Sequence, residues 1–294
     1  MAKKAKTPPI PSATGAPKIL LPVVDMVFKW LFGNEKNSDL LADFLQAVLH
    51  IPAGEFDKLV FVDPHLQREA LDDKLGILDV KIKTASGKII DVEIQVLEVE
   101  AMRSRLTYYL AKMITEQMHS GKTYDVIKPS VSIVIANFPL ITETARFHTV
   151  FSLLENTEHF PFNDLLEIDV LDLTKLPKGR AAPREESSLV DWLAFIGAQT
   201  EEEFTMASAK NPVIKKAFGE LMILSADERK RMLYESRLKL WRDEQSRLQG
   251  AKREGKREGK KEGIEIGREK EREFFLSLLK SGKTPLEILT IIGR

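Results

Sequence analysis

The sequence predicts an α/β protein: a sheet flanked by helices, with a helical region after it. Residues Leu78 to Gln95, LDVKIKTASGKIIDVEIQ, alternate apolar and polar side chains on either side of a small-residue loop. That period of two belongs to half-buried strands joined by a tight turn. Val23 to Leu49 and residues 100–120 instead repeat apolar residues every three or four positions, as amphipathic helices do. Beyond residue 185 the patterns are helical only.

Taken in order, residues 1–18 carry Lys3, Lys4, Lys6 and Lys18 with Pro8-Pro9 and few apolar groups, the composition of a disordered basic arm. In the first helical stretch Gly33-Asn34 predicts a break into two helices, with Ser38 capping the second. Asp25 stands near the start of the first helix, where an acid also suits the helix dipole. Leu59 to Val62 is a short strand stopped by Asp63-Pro64. The hairpin follows, with Thr84 to Lys88 as its loop. Met102, Leu106, Tyr109, Leu110, Met113, Ile114 and Met118 form the inner stripe of the next helix, and Gly121 ends it. Val131 to Ala136 is nearly all apolar and predicts a buried strand. Phe147 to Leu154 and Leu165 to Leu173 predict two more.

Leu176-Pro177-Lys178-Gly179 through Pro183 marks a boundary. Leu189 to Ala198 is a short helix, and Ser225 to Glu228 has capping-box spacing ahead of a charged helix running to Gln249. Gly255, Gly259, Gly263 and Gly267 then recur every fourth residue, among nine basic and six acidic side chains between 250 and 272. Each glycine costs a helix about 1 kcal/mol relative to alanine, so this run is a marginal helix or a linker. It is solvated by default, with self-association and DNA contact as the alternatives. Phe274 to Leu279, a turn at Ser281-Gly282-Lys283, and a last helix capped by Thr284 with Pro285 at its first position complete the chain. The expected organisation is a basic arm (1–18), an α/β domain (19–180), a helical subdomain (185–249) and a glycine-striped helical tail (250–294).

The hairpin carries the chemistry. Alternation points Asp79 and Lys81 away from the face of Leu78, Val80 and Ile82, and Glu93 and Gln95 share one side of the second strand. Pairing the strands brings Asp79 toward Glu93. Converging carboxylates suit Mg²⁺, which takes oxygen ligands and binds through one or two carboxylates plus water and phosphate. The plain alternative is a wet outer face that carries charges because it is wet.

Asp79, thirteen residues, then Glu93-Ile94-Gln95 resembles the D…E-x-Q form of the PD-(D/E)XK nuclease motif. Asp25-x-x-Phe28-Lys29-x-x-Phe32-Gly33 with Phe44-Leu45, then Arg105-x-x-Tyr108-Tyr109, Gly121-x-x-Tyr124 and the strand from Pro129 to Phe138 follow in matching order. Over residues 20–180 the chain resembles the bacterial recombination-promoting nuclease/transposase family. The resemblance implies a restriction-endonuclease-like core, a central mixed sheet flanked by helices. It also implies that Asp79, Glu93 and the backbone carbonyl of Ile94 hold Mg²⁺ or Mn²⁺, with Asp25 completing the shell through water. Lysine usually fills the third motif position; here Gln95 stands there, able to bond a water but bringing no charge. Lys81, on the face of Asp79, is the nearest displaced lysine, unless it is an ordinary solvent-facing one. Arg105 matches phosphate geometry, and Tyr109, four residues on, is placed to hold its guanidinium; packing on the sheet is the alternative for both.

Lys plus Arg equals Asp plus Glu at 44 each, so bulk charge announces no partner. Cysteine is absent, which removes disulfides and thiolate chemistry and fits a cytoplasmic setting. The five histidines show no ligand spacing, there is no phosphate-binding glycine loop, and no apolar run reaches the length of a membrane span. The expectation is a Mg²⁺-dependent DNA endonuclease of recombination or mobile elements, with a possible homo-oligomer through the C-terminal helices. The rival is a nuclease-like binding or assembly protein that cuts little.

Overall fold

The computed structural model describes residues 19–65, 79–97, 101–177, 187–282 and 284–292. The expected basic arm, Leu78 and the boundary segment from Lys178 to Pro183 lie outside these residues. The chain divides into two units, Met1–Glu235 and Ser236–Arg294.

In the first unit β1 (Val60–Val62), β2 (Val80–Lys83), β3 (Ile89–Gln95), β4 (Ser130–Ala136), β5 (His148–Ser152) and β6 (Leu166–Asp172) form a mixed sheet in the order β1-β2-β3-β4-β6-β5. The first three strands are antiparallel, β3, β4 and β6 run parallel, and β5 pairs antiparallel at the edge. The hairpin between β2 and β3 closes through Thr84 N–H to Lys88 O at 2.9 Å. Gly87, at φ +92°, takes the left-handed position there, which costs glycine little. Every residue of β4 is buried, which accounts for its apolar run: strands lie on both sides and helices over the sheet leave it no wet face.

Helix α1 (Asp25–Phe32) and helix α2 (Ser38–Leu49) are separated by a 3₁₀ turn, Glu35–Asn37. Asn34 caps that turn by accepting from Lys36 N–H, so Ser38 is the first residue of α2 and not its cap. Helix α3 (Met102–Thr115) stops before Gly121. Gln117 turns the chain back toward β4, its amide bonding the Lys128 backbone on both sides, at 2.8 Å from N–H and 3.0 Å to O.

Tyr109, Leu110 and Met113 of α3 pack with Ile89, Leu166 and Ile168, and Met102 and Leu106 pack with Val134 and Val170. Helix α3 therefore covers the sheet face on which Ile89, Asp91 and Glu93 alternate. Helix α1 comes from the other side, where a Cβ on Gly33 would meet Val80 Cγ2 at 3.5 Å. The next three helices, α4 (Ser187–Gly197), α5 (Glu201–Ser208) and α6 (Pro212–Ala226), follow in the same unit. Trp192 of α4 is fully buried against Phe32 and Phe44, and its indole N–H donates to Asp43 at 2.7 Å. A capping box, Thr200 with Glu203, opens α5. Ser225 is no cap: it lies inside α6, bonding Leu221 O and accepting from Leu20 N–H. Asp227 instead accepts from Arg229 and Lys230 N–H and starts α7 (Glu228–Lys280).

The glycine-striped run lies within α7 as helix, and nothing stands within 4 Å of where a Cβ on any of those four glycines would be. Thr284 bonds Glu287 ahead of α8 (Pro285–Ile292). No helix among the described residues is long and apolar enough to cross a membrane.

Candidate active site

The register of the hairpin sets Val80 against Val92 and Lys81 against Asp91; one step outward it sets Asp79 opposite Glu93. Asp79 Oδ2 accepts from Ile94 N–H at 2.9 Å. The N–H and C=O of one strand residue point to the same neighbour, so the Ile94 carbonyl lies along the edge that Asp79 occupies. Gln95, next along, turns its carbonyl the other way and accepts from Asn137 N–H at 2.9 Å.

Two cations meet the pair from two helices. Lys29 Nζ of α1 is 3.1 Å from Asp79 Oδ1. Arg105 of α3 donates to Glu93 Oε1, and its Nε donates to the Tyr109 hydroxyl at 3.1 Å. The guanidinium also lies over the Tyr109 ring, 5.1 Å from its centroid. Arg105 thus engages the Glu93 carboxylate, and Tyr109 packs on the sheet while holding the guanidinium.

The outer face of the hairpin near the carboxylates is covered, not wet. Glu93 is 2% exposed, Asp91 fully buried and Lys81 6% exposed, because α3 lies over them. Alternation reports the two faces of a strand but not what covers them. Burial pushes the Glu93 carboxyl up to about 7 against the pull of Arg105, with the negative charge of Asp79 adding to the rise. Burial likewise raises Asp79 above the usual carboxylate range, against its bond from Ile94 and the charge of Lys29. Asp91 is raised well above that range, by burial first and then by Glu93 and Asp79. Glu93 Oε2 and both oxygens of Asp91 are buried without a hydrogen-bond partner, and Ser132, beside Asp91 in the β3–β4 register, leaves it unsatisfied.

Lys81 is not solvent-facing either. Its Nζ bonds Glu116 at 2.7 Å near the C-terminal end of α3, and both side chains are largely buried. That pairing engages the amine away from Asp79.

The sequence model of the PD-(D/E)XK nuclease family transposases matches residues 22–251. The chain belongs to this family. The match runs past residue 180, where the motif resemblance stops, and takes in α4 to α6 and the first part of α7. No curated protein and no solved structure matches the chain. Membership carries a nuclease- or transposase-related role, and PD-(D/E)XK nucleases generally use divalent metals.

The residues of this PD-(D/E)XK chain fit such a metal. Asp79, Glu93 and the Ile94 carbonyl offer oxygen only, as hard cations prefer, and the orphaned Glu93 Oε2 is a buried acceptor with nothing to accept from. Among the described residues no group of three His, Asp or Glu forms a ready-made cluster, so water or substrate would supply the remaining ligands. Asp25 stands on the first turn of α1, one turn before Lys29, close enough that its charge adds to the rise at Asp79. Gln95 is half-buried, and its amide reaches toward Leu97 O at 3.4 Å.

Two residues of the site escape sequence reasoning. Lys29 stands inside the motif Asp25-x-x-Phe28-Lys29, but only the fold brings it from α1 to Asp79. Asp91 shares the alternation of Glu93, two residues away, and that spacing was its available signal.

Proposed function

We propose that this protein is a metal-dependent DNA endonuclease that hydrolyses phosphodiester bonds in recombination or in mobile elements. The observation that carries the reading is the opposition of Asp79, just before β2, and Glu93 on β3, with Ile94 N–H bonded to Asp79 and a cation from a different helix on each carboxylate. Asp79, Glu93 and the Ile94 carbonyl would hold Mg²⁺ or Mn²⁺, with Asp25 completing the shell through water. Bound there, the metal neutralises phosphate charge and lowers the pKa of its water. Arg105 would offer the donors of its fork not engaged by Glu93 to a phosphate oxygen, and Tyr109 holds the guanidinium in place.

Gln95 bonds a water without bringing charge. The charged amine of the usual third motif residue comes from Lys29, whose Nζ stands beside Asp79. From there it orients the attacking water and steadies charge on the phosphate.

The ion pairs to Lys29 and Arg105 also support a second reading, a nuclease-like core held together without a metal that binds DNA or assembles but cuts little. A plasmid-nicking assay separates the two. The endonuclease nicks in Mg²⁺, stops in EDTA, and loses activity in Asp79→Ala; a wild type that leaves the plasmid intact in Mg²⁺ and Mn²⁺ removes the first reading.

A further inference from the structure

A cavity of about 550 Å³ opens at the far end of the hairpin from the carboxylates, lined by Lys81, Lys83, Lys122, Lys128 and His119 among others. Its floor is the buried Lys81–Glu116 pair, which is neutral overall. The other acid on its wall, Asp63, is held by His65 at 2.6 Å. Among the described residues, Lys83, Lys122 and Lys128 form no ion pair. The cavity also lies at the C-terminal end of α3, and some positive charge is expected there to meet the helix dipole. That dipole amounts to about half an elementary charge, so three free lysines exceed what it calls for.

The lysines are placed, not scattered. Lys83 and Lys128 run their stems over Gly87, where a Cβ would meet Lys83 Cε and Lys128 Cγ, each at 3.4 Å. The Lys128 backbone is clamped on both sides by Gln117. Lys83 shares its face of β2 with Asp79 by alternation, and four residues of strand separate them by about 13 Å. Measured along the axis of B-form DNA, where one strand rises about 3.4 Å per nucleotide, that corresponds to about four base pairs.

We propose that this cavity is a second phosphate site, in which Lys83, Lys122 and Lys128 grip the backbone of the DNA strand whose scissile phosphate lies at Asp79 and Glu93. It rests on the nuclease reading and extends it: the cavity sets where the strand runs, while the carboxylates act on it. A chain of neutral overall charge thereby gains a local phosphate grip.

The test is DNA binding by the full chain as a function of salt, in Mg²⁺, under conditions where a gel shows the oligonucleotide intact. Each phosphate contact contributes about 0.7 to 0.9 to the slope of log K against log salt. Lys83→Gln/Lys122→Gln/Lys128→Gln is expected to reduce that slope by about 2 to 3. Lys36→Gln/Lys210→Gln/Lys215→Gln, exposed lysines outside the cavity, removes the same charge and is expected to leave the slope unchanged. A wild-type slope retained by the cavity variant overturns the phosphate site alone. Equal loss in both variants overturns it too, since the effect is then bulk charge. A wild type that binds no DNA overturns the nuclease reading with it.

Discussion

Arg105 bonds Glu93 Oε1 while Tyr109, one turn further along α3, braces the guanidinium. Oε2 of the same carboxyl is buried and has no partner. Glu93 is thus half-compensated: Arg105 lowers its pKa, burial raises it more, and the balance stands at about 7.

A metal ligand must first lose its proton. Mg²⁺ affinity is therefore expected to rise with pH through about 7, and at pH 6 to be about tenfold weaker than at pH 8. Calorimetric titration across that range checks it. Glu93→Gln should bind Mg²⁺ weakly at every pH and lose cleavage; a variant that keeps wild-type affinity removes Glu93 from the metal site.

Asp91 makes an opposite demand on the metal-free protein. Its carboxyl is raised well above the usual range by burial, so the folded state binds a proton that the unfolded chain has released. That contribution to stability is complete below the unfolded pKa, about 3.9, and is lost as pH rises toward the folded value. Asp91→Asn keeps the shape and carries no charge to bury, so its melting temperature should match or exceed wild type at pH 8 and vary less with pH. Marked destabilisation in the Asn variant at pH 8 would show that the charged form is wanted, for a cation or for Lys81.

The hairpin, its loop and the pairing of Asp79 with Glu93 were legible because period-two alternation fixes both faces of a strand and, with the turn, its register. The order of helices and strands was legible for the same kind of reason. Burial of Glu93, Asp91 and Lys81 was not, since it depends on where α3 lands, and α3 is placed by Met102, Leu106 and Met113 against β4 and β6. Ser225 misled because Ser-x-x-Glu spacing fits a capping box, whereas Asp227 sits closer to the true helix start. Lys29 was visible as part of a motif, but its partner lies 50 residues along the chain.

In the proposed site, Lys29, paired with Asp79, would compete with a cation for that carboxylate and serve the chemistry once the cation is bound. Lys29→Met should therefore hold Mg²⁺ at least as tightly as wild type while cleavage falls by about 10²-fold, the size of losing one transition-state donor. Gln95→Ala, removing an uncharged water contact, should cost less rate than Lys29→Met, and Gln95→Lys in the Lys29→Met background should restore part of it. Single-turnover cleavage beside metal titration reads both quantities. Full activity in Lys29→Met gives the amine's role to another group.

Ile264, Ile266, Phe274, Phe275 and Leu279 are each more than two-fifths exposed on the later part of α7, and the glycines beside them leave room for a close backbone. Nine positive and six negative charges between 250 and 272 give a weak net field, screened over roughly 10 Å at 0.1 M salt, so phosphate attraction is the lesser candidate for this segment. Apolar contact between two copies is the greater, and two copies would bring two sites to two DNA strands. Truncation after Leu248 should lower the mass seen in sedimentation toward a monomer while Mg²⁺ affinity stays. A truncated chain that keeps its oligomeric state but loses salt-sensitive DNA binding makes the tail a DNA arm. One that keeps both properties returns the segment to a solvated extension, since exposed apolar residues on a helix need no partner when they contribute nothing to assembly.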